Sequence, residues 1–110
     1  MTLQLEQIDS ITVLSLHGKL NIDGCPEFEK AITALPAGGR ILFDLSKLDY
    51  VASAGLRLFL VAAKSSAQKK GKLVVCGLTQ HVAEVFKLTG FNTFLTIESD
   101  RSAGLKKLQS

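Results

Sequence analysis

At 110 residues, 46% of them apolar and 21% charged, the chain is long enough for one packed core and too short for two, with an ordinary globular balance. A net charge of +3, the absence of Trp and the lack of alternating basic and aromatic residues argue against a nucleic-acid surface. The longest strongly apolar run, Leu58-Phe59-Leu60-Val61-Ala62-Ala63, is far below the ~20 residues that span a bilayer, and Met1–Glu6 shows no secretory pattern, so a cytoplasmic protein with no membrane partner is expected.

Leu3–Ile8 and Ile11–Leu16 alternate roughly and are separated only by Asp9-Ser10, which predicts two strands joined by a tight turn. After Gly18 the pattern changes. Pro26 suits a first helical position, Phe28, Ala31, Ile32 and Leu35 recur at helical spacing, and Pro36-Ala37-Gly38-Gly39 stops the helix. Ile41-Leu42-Phe43 reads as a short buried strand ending at Asp44-Leu45, followed by a linker over Ser46–Ala52. A long helix is expected from about Ser53 to Lys70, with Gly71 just past its end. Lys64, Lys69, Lys70 and Lys72 gather there, where cations meet the partial negative charge of a helix C-terminus.

Leu73–Cys76 predicts another strand, and Val82, Val85, Phe86 and Leu88 another helix, closed by Gly90. Phe94-Leu95-Thr96-Ile97 reads as a last strand, and Leu105 and Leu108 as part of a final short helix. The order β-β-α-β-α-β-α-β-α implies an α/β fold, a single domain over 1–110 with about four helices on a mixed, largely parallel sheet. The antiparallel N-terminal strand would add to one edge.

Little in the chain suggests catalysis. It has no Gly-x-Gly-x-x-Gly, no Gly-Lys-Ser/Thr phosphate loop and no metal-ligand spacing, so no cofactor or metal is expected. Cys25 and Cys76 are far apart, and Cys76 sits in an apolar run where a thiol packs as a small hydrophobe. As a nucleophile it would lack the arginine of a phosphatase cradle and any group to lower its pKa. His17 and His81 are isolated, and Asp44 stands at a strand end without the paired acids of a receiver domain.

The informative segment is Asp49-Tyr50-Val51-Ala52-Ser53-Ala54-Gly55-Leu56-Arg57. Ser53 stands where an N-cap belongs, its hydroxyl accepting from a first-turn amide, a contact commonly worth ~1 kcal/mol. The same position suits a phosphorylatable serine, because a helix N-terminus presents unpaired N–H groups and the small Ala52, Ala54 and Gly55 leave the hydroxyl accessible. Along the helix, Leu56, Phe59, Leu60, Ala63 and Ala67 form the expected core stripe. Leu58, Val61 and Ala62 fall off it, either as an outer docking patch or beneath another helix.

Leu16-His17-Gly18-Lys19-Leu20-Asn21, Phe43-Asp44-Leu45 … Ser53-Ala54-Gly55-Leu56 and Leu73-Val74-Val75-Cys76 … Val85-Phe86-Lys87-Leu88-Thr89-Gly90 together resemble the STAS domain, over nearly the whole chain. Such domains occur alone in bacteria as anti-sigma-factor antagonists. The resemblance implies partner switching: the unphosphorylated form binds an anti-sigma factor with serine kinase activity and frees its sigma factor. Phosphorylation by that kinase releases the antagonist, and a PPM-type serine phosphatase restores it. By the same resemblance Ser53 is the phosphate acceptor. The partner surface comprises Asn21, Ile22 and Asp23, then Ala54, Gly55, Leu56, Arg57 and Leu58, with Ala52 and Val61 beside them. Where family members often carry acids, this chain has Ala52 and Asn21, with Asp23 a partial replacement. The alternatives are a non-switching module of the same fold that binds a ligand or joins an assembly, in which Ser53 is only a cap, and a switch acting on a target other than a sigma factor.

Overall fold

In the computed structural model, which describes residues 1–36, 38–93 and 95–109, Asp9 takes φ 54° and turns β1 (Thr2–Ile8) back into β2 (Ile11–Leu20). The two pair antiparallel, with Ile8 opposite Ile11 and Thr2 opposite His17. β2 then runs parallel to β3 (Arg40–Val51), from Ile11 opposite Arg40 to Leu20 opposite Val51. β4 (Lys72–Cys76) and β5 (Thr96–Glu98) continue the sheet in parallel, giving the order β1-β2-β3-β4-β5. The helices are α1 (Cys25–Thr33), α2 (Ser53–Gln68), α3 (Gln80–Leu88) and α4 (Arg101–Gln109). Short 3-10 turns occupy Ile22–Gly24 and Phe91–Thr93. The element order and the mixed, mostly parallel sheet are those expected; Ala37 in the predicted turn and Phe94 in the predicted last strand lie outside the described residues.

The alternation of β2 divides the core. Leu14, Leu16 and Leu20 face α1, α2 and α3, in a cluster with Phe28, Phe43, Phe59 and Phe86, whose successive ring centroids lie 5.0 to 5.8 Å apart. Ile11 and Val13 face the other side, where Leu42, Val74, Cys76 and Leu108 pack under α4. With both faces covered, Ile41–Leu45 is buried at every position, which is why Ile41-Leu42-Phe43 reads as a continuous apolar run.

Four expectations are corrected. Most of the expected linker, Ser46–Val51, is strand: Leu48 and Val51 are buried while Ser46, Lys47, Asp49 and Tyr50 are exposed, and shifts of register against β2 break the alternation that would have shown it. On α2 the buried residues are Gly55, Leu56, Leu58, Phe59, Ala62 and Ser66, whereas Ala67 is exposed. Of the two alternatives for Leu58 and Ala62 the structure has the second, burial beneath another helix, because α2 lies against α1 as well as the sheet. Lys70, not Gly71, takes the left-handed conformation after α2, with φ 60°. Gly71 is needed for close approach: a Cβ there would stand 2.7 Å from the Gly39 carbonyl oxygen. Finally, Pro26 is the second residue of α1, after Cys25.

Among the described residues no helix is long and apolar enough to cross a membrane.

Candidate functional site

The parallel pair β2–β3 ends with Leu20 beside Val51, and there the chain enters α2. The Ala52 N–H donates to the Leu20 carbonyl at 2.8 Å, and the Ala52 carbonyl accepts from the Leu56 N–H at 2.9 Å. Ala52, extended at φ −80° and ψ 163°, is thus the N-cap, and no side chain caps the helix. Ser53 is the first helical residue rather than the cap expected from its sequence position. The difference matters chemically. A capping hydroxyl is turned inward to the amides, whereas Ser53 is exposed and its side chain has no partner among the described residues.

Gly55 explains how the helix can start there. A Cβ at this position would lie 2.7 Å from Cγ and Cδ2 of Leu20 and 3.3 Å from Cγ2 of Val51. Only glycine lets the first turn settle on the ends of β2 and β3. The four residues therefore divide: Ser53 and Ala54 face out, Gly55 and Leu56 face in.

The 3-10 turn Ile22–Gly24 follows directly from β2 and packs beside α2. Asn21, Ile22 and Asp23 are all exposed, Ile22 at 73% despite its apolar side chain. Arg57 and Val61 continue the exposed face of α2, and Ala52 is half-buried. Of the residues expected to form one surface, Asn21, Ile22, Asp23, Ser53, Ala54, Arg57 and Val61 reach solvent. Gly55, Leu56 and Leu58 lie in the core beneath them, where their side chains shape the surface without forming it.

Two features were not legible in the sequence. The half-exposed Tyr50 ring stacks on His81 at the start of α3, with centroids 5.3 Å apart and planes 18° from parallel. Arg101, expected only as a tail cation, donates through Nε to Asp44 Oδ2 at 2.9 Å, and through its two terminal nitrogens to Glu6 Oε1 and Ser15 Oγ, each at 3.0 Å. Asp44 also accepts from the Ser46 amide at 3.1 Å and hydroxyl at 2.8 Å. Burial pushes the Asp44 carboxyl up, but the Ser46 and Arg101 hydrogen bonds and the Arg101 charge outweigh it and hold it below its ordinary value. Asp44 is committed to structure, not open as an acceptor of chemistry.

Cys76 is fully buried, and burial, helped by the Asp44 charge, pushes its thiol up to about 12, the opposite of what a nucleophile needs. Cys25 is raised too, by burial and then by Glu29. Among the described residues no three His, Cys, Asp or Glu side chains converge as a metal site.

The family model described as "Mlab, STAS domain" matches residues 3–97. A protein of Bordetella bronchiseptica named as an anti-sigma factor antagonist, BtrV, is 37% identical over 105 residues, covering 94% of this chain and 90% of that one. A solved anti-sigma factor antagonist from Mycobacterium paratuberculosis superposes with TM-score 0.91 at 22% identity, covering 99% of this chain and 94% of that chain. The anti-sigma factor antagonist SpoIIAA has the same fold in its unphosphorylated form (TM-score 0.81, 20% identity, covering 98% and 96%) and, from Bacillus, in its phosphorylated form (TM-score 0.75, 19% identity, covering 97% and 99%).

Proposed function

The chain belongs to the STAS domain family, and from that premise we propose that it is an anti-sigma-factor antagonist switched by phosphorylation of Ser53. Unphosphorylated, it binds an anti-sigma factor with serine kinase activity and frees the sigma factor; phosphorylated, it lets go; a PPM-type phosphatase resets it. It acts in the cytoplasm as a single regulatory domain, without catalysis or cofactor.

The observation that carries this reading is the placement of Ser53: exposed, first in a sixteen-residue helix and with its hydroxyl uncommitted. A kinase meets a hydroxyl already in the open, on an element that need not unfold. The phosphate adds about −1.5 to −2 charges at neutral pH. That charge lands between Ala52 and Ala54 on a surface that also presents Ile22 and Val61. A dianion enclosed in such an interface loses hydration worth several kcal/mol, which a single exposed cation repays only in part, and each 1.4 kcal/mol is tenfold in affinity, so a loss of about a hundredfold is expected. That SpoIIAA has been solved with and without its phosphate supports a fold that carries the modification. The first turn of α2 contains no acidic residue, so phosphorylation meets little local repulsion.

The test is mass analysis of the purified protein after incubation with host lysate and Mg-ATP, beside Ser53→Ala. One phosphate on the wild type, mapped to Ser53 and absent from the variant, is expected. Its absence in a lysate with active serine kinases would end the switch reading. Ser53→Asp should bind the captured kinase about a hundredfold more weakly than Ser53→Ala.

One observation favours the ligand-binding alternative: a groove of about 310 Å³ between β1 and α1, lined by Leu3, Leu5, Leu14, Ala31, Leu35 and Pro36 among others. Saturable thermal stabilisation by an acyl ligand, with no phosphate turnover, would support it.

A further inference from the structure

We propose that Arg57 is the built-in counter-ion of a phosphate on Ser53 and sets how much of its charge a partner meets. This rests on Ser53 being the acceptor and specifies how the modified site behaves. Ser53 and Arg57 are both exposed residues of α2, four apart. Residues so spaced stand one turn above each other on the same side of a helix, with Cβ atoms about 5–6 Å apart. The order is the favourable one, with the anion N-terminal to the cation. A guanidinium presents a planar fork that takes two phosphate oxygens through parallel N–H donors, where a lysine acts as a point charge.

Nothing competes for Arg57. It has no hydrogen-bond or ion-pair partner among the described residues. Between it and Ser53 stand only Ala54, Gly55 and Leu56, uncharged, the latter two buried. The unmodified surface therefore offers a free cation one turn from a hydroxyl. The modified surface offers a phosphate partly neutralised by that cation, which is no longer available to anyone else. A partner whose carboxylate pairs with Arg57 would lose that contact at the same moment as it meets the new negative charge.

The experiment installs phosphoserine at position 53 during translation, so that no kinase is needed, and follows the phosphate by phosphorus NMR from pH 4 to 8. A neighbouring cation favours the dianion and lowers the second ionisation below its ordinary value of about 6. The wild type should titrate about 0.3–0.7 pH units below Arg57→Gln at low ionic strength, with the gap closing as salt is raised. Coincident curves for the two proteins at low salt would overturn the pairing. They would leave Ser53 standing as acceptor, since that claim is decided separately by the lysate experiment.

Discussion

Arg101 Nε lies 2.9 Å from Asp44 Oδ2, so the first residue of α4 is tied to the middle of β3, fifty-seven positions earlier in the chain. Because the Asp44 carboxyl is held below its ordinary 3.8, its folded pKa lies under its unfolded one. The stability it confers is fully present above the unfolded value and is lost as the pH falls from there through the folded value. Asp44→Asn should flatten this part of the acid limb and, by leaving Arg101 short of an acceptor, cost about 1–3 kcal/mol near neutrality. Urea melts between pH 7 and 2 decide the matter: an acid limb identical to wild type would remove Asp44 from the account.

Gly55→Ala places a methyl group 2.7 Å from the Leu20 side chain and should destabilise the protein by about 1–3 kcal/mol. Trimming the obstacle should recover part of that loss, so Gly55→Ala and Leu20→Ala should be non-additive in a double-mutant cycle. Additive costs would mean that the helix start and the strand end do not meet as described.

Lys70 holds φ 60°, a conformation that costs a residue with a Cβ about 1–2 kcal/mol. Lys70→Gly should stabilise the fold by roughly 0.5–1 kcal/mol after the greater flexibility of unfolded glycine is set against it. Gly71→Ala should do the reverse, for want of room beside Gly39. Two chemical-denaturation curves suffice, and a destabilised Lys70→Gly would contradict the geometry.

The two thiols should separate cleanly under alkylation at pH 8. Cys25 is half-buried and Cys76 fully buried with its pKa near 12, so a single adduct on Cys25 should accumulate first. Cys76 should follow only at the rate at which the core opens. Equal labelling rates by mass spectrometry would refute the burial of β4.

Much of this fold was open to inspection in the chain. The apolar spacing of Phe28, Ala31 and Ile32, and of Val82, Val85 and Phe86, is that of helices seated on one face, and the alternating β-α order leaves a parallel sheet as the natural outcome. What the chain does not display by itself depends on tertiary contact. Ser46–Val51 looks like a linker because its polar residues answer to an irregular strand register. Leu58 and Ala62 look superficial until α1 is laid beside α2. Arg101 looks like one more tail cation because its three acceptors come from β1, β2 and β3. Ser53 stands one residue inside the position its sequence setting suggests, and that one residue separates a hydroxyl folded onto the backbone from one that faces outward.

The bond from the Ala52 amide to the Leu20 carbonyl fastens the entrance of α2 to the sheet, immediately before the serine. Under the proposed switch, a phosphate on Ser53 would therefore change what the surface displays while the entrance of the helix stays fastened to the sheet. In that proposal the chain is a token whose face value changes when it is stamped, with the decision left to the protein that reads it.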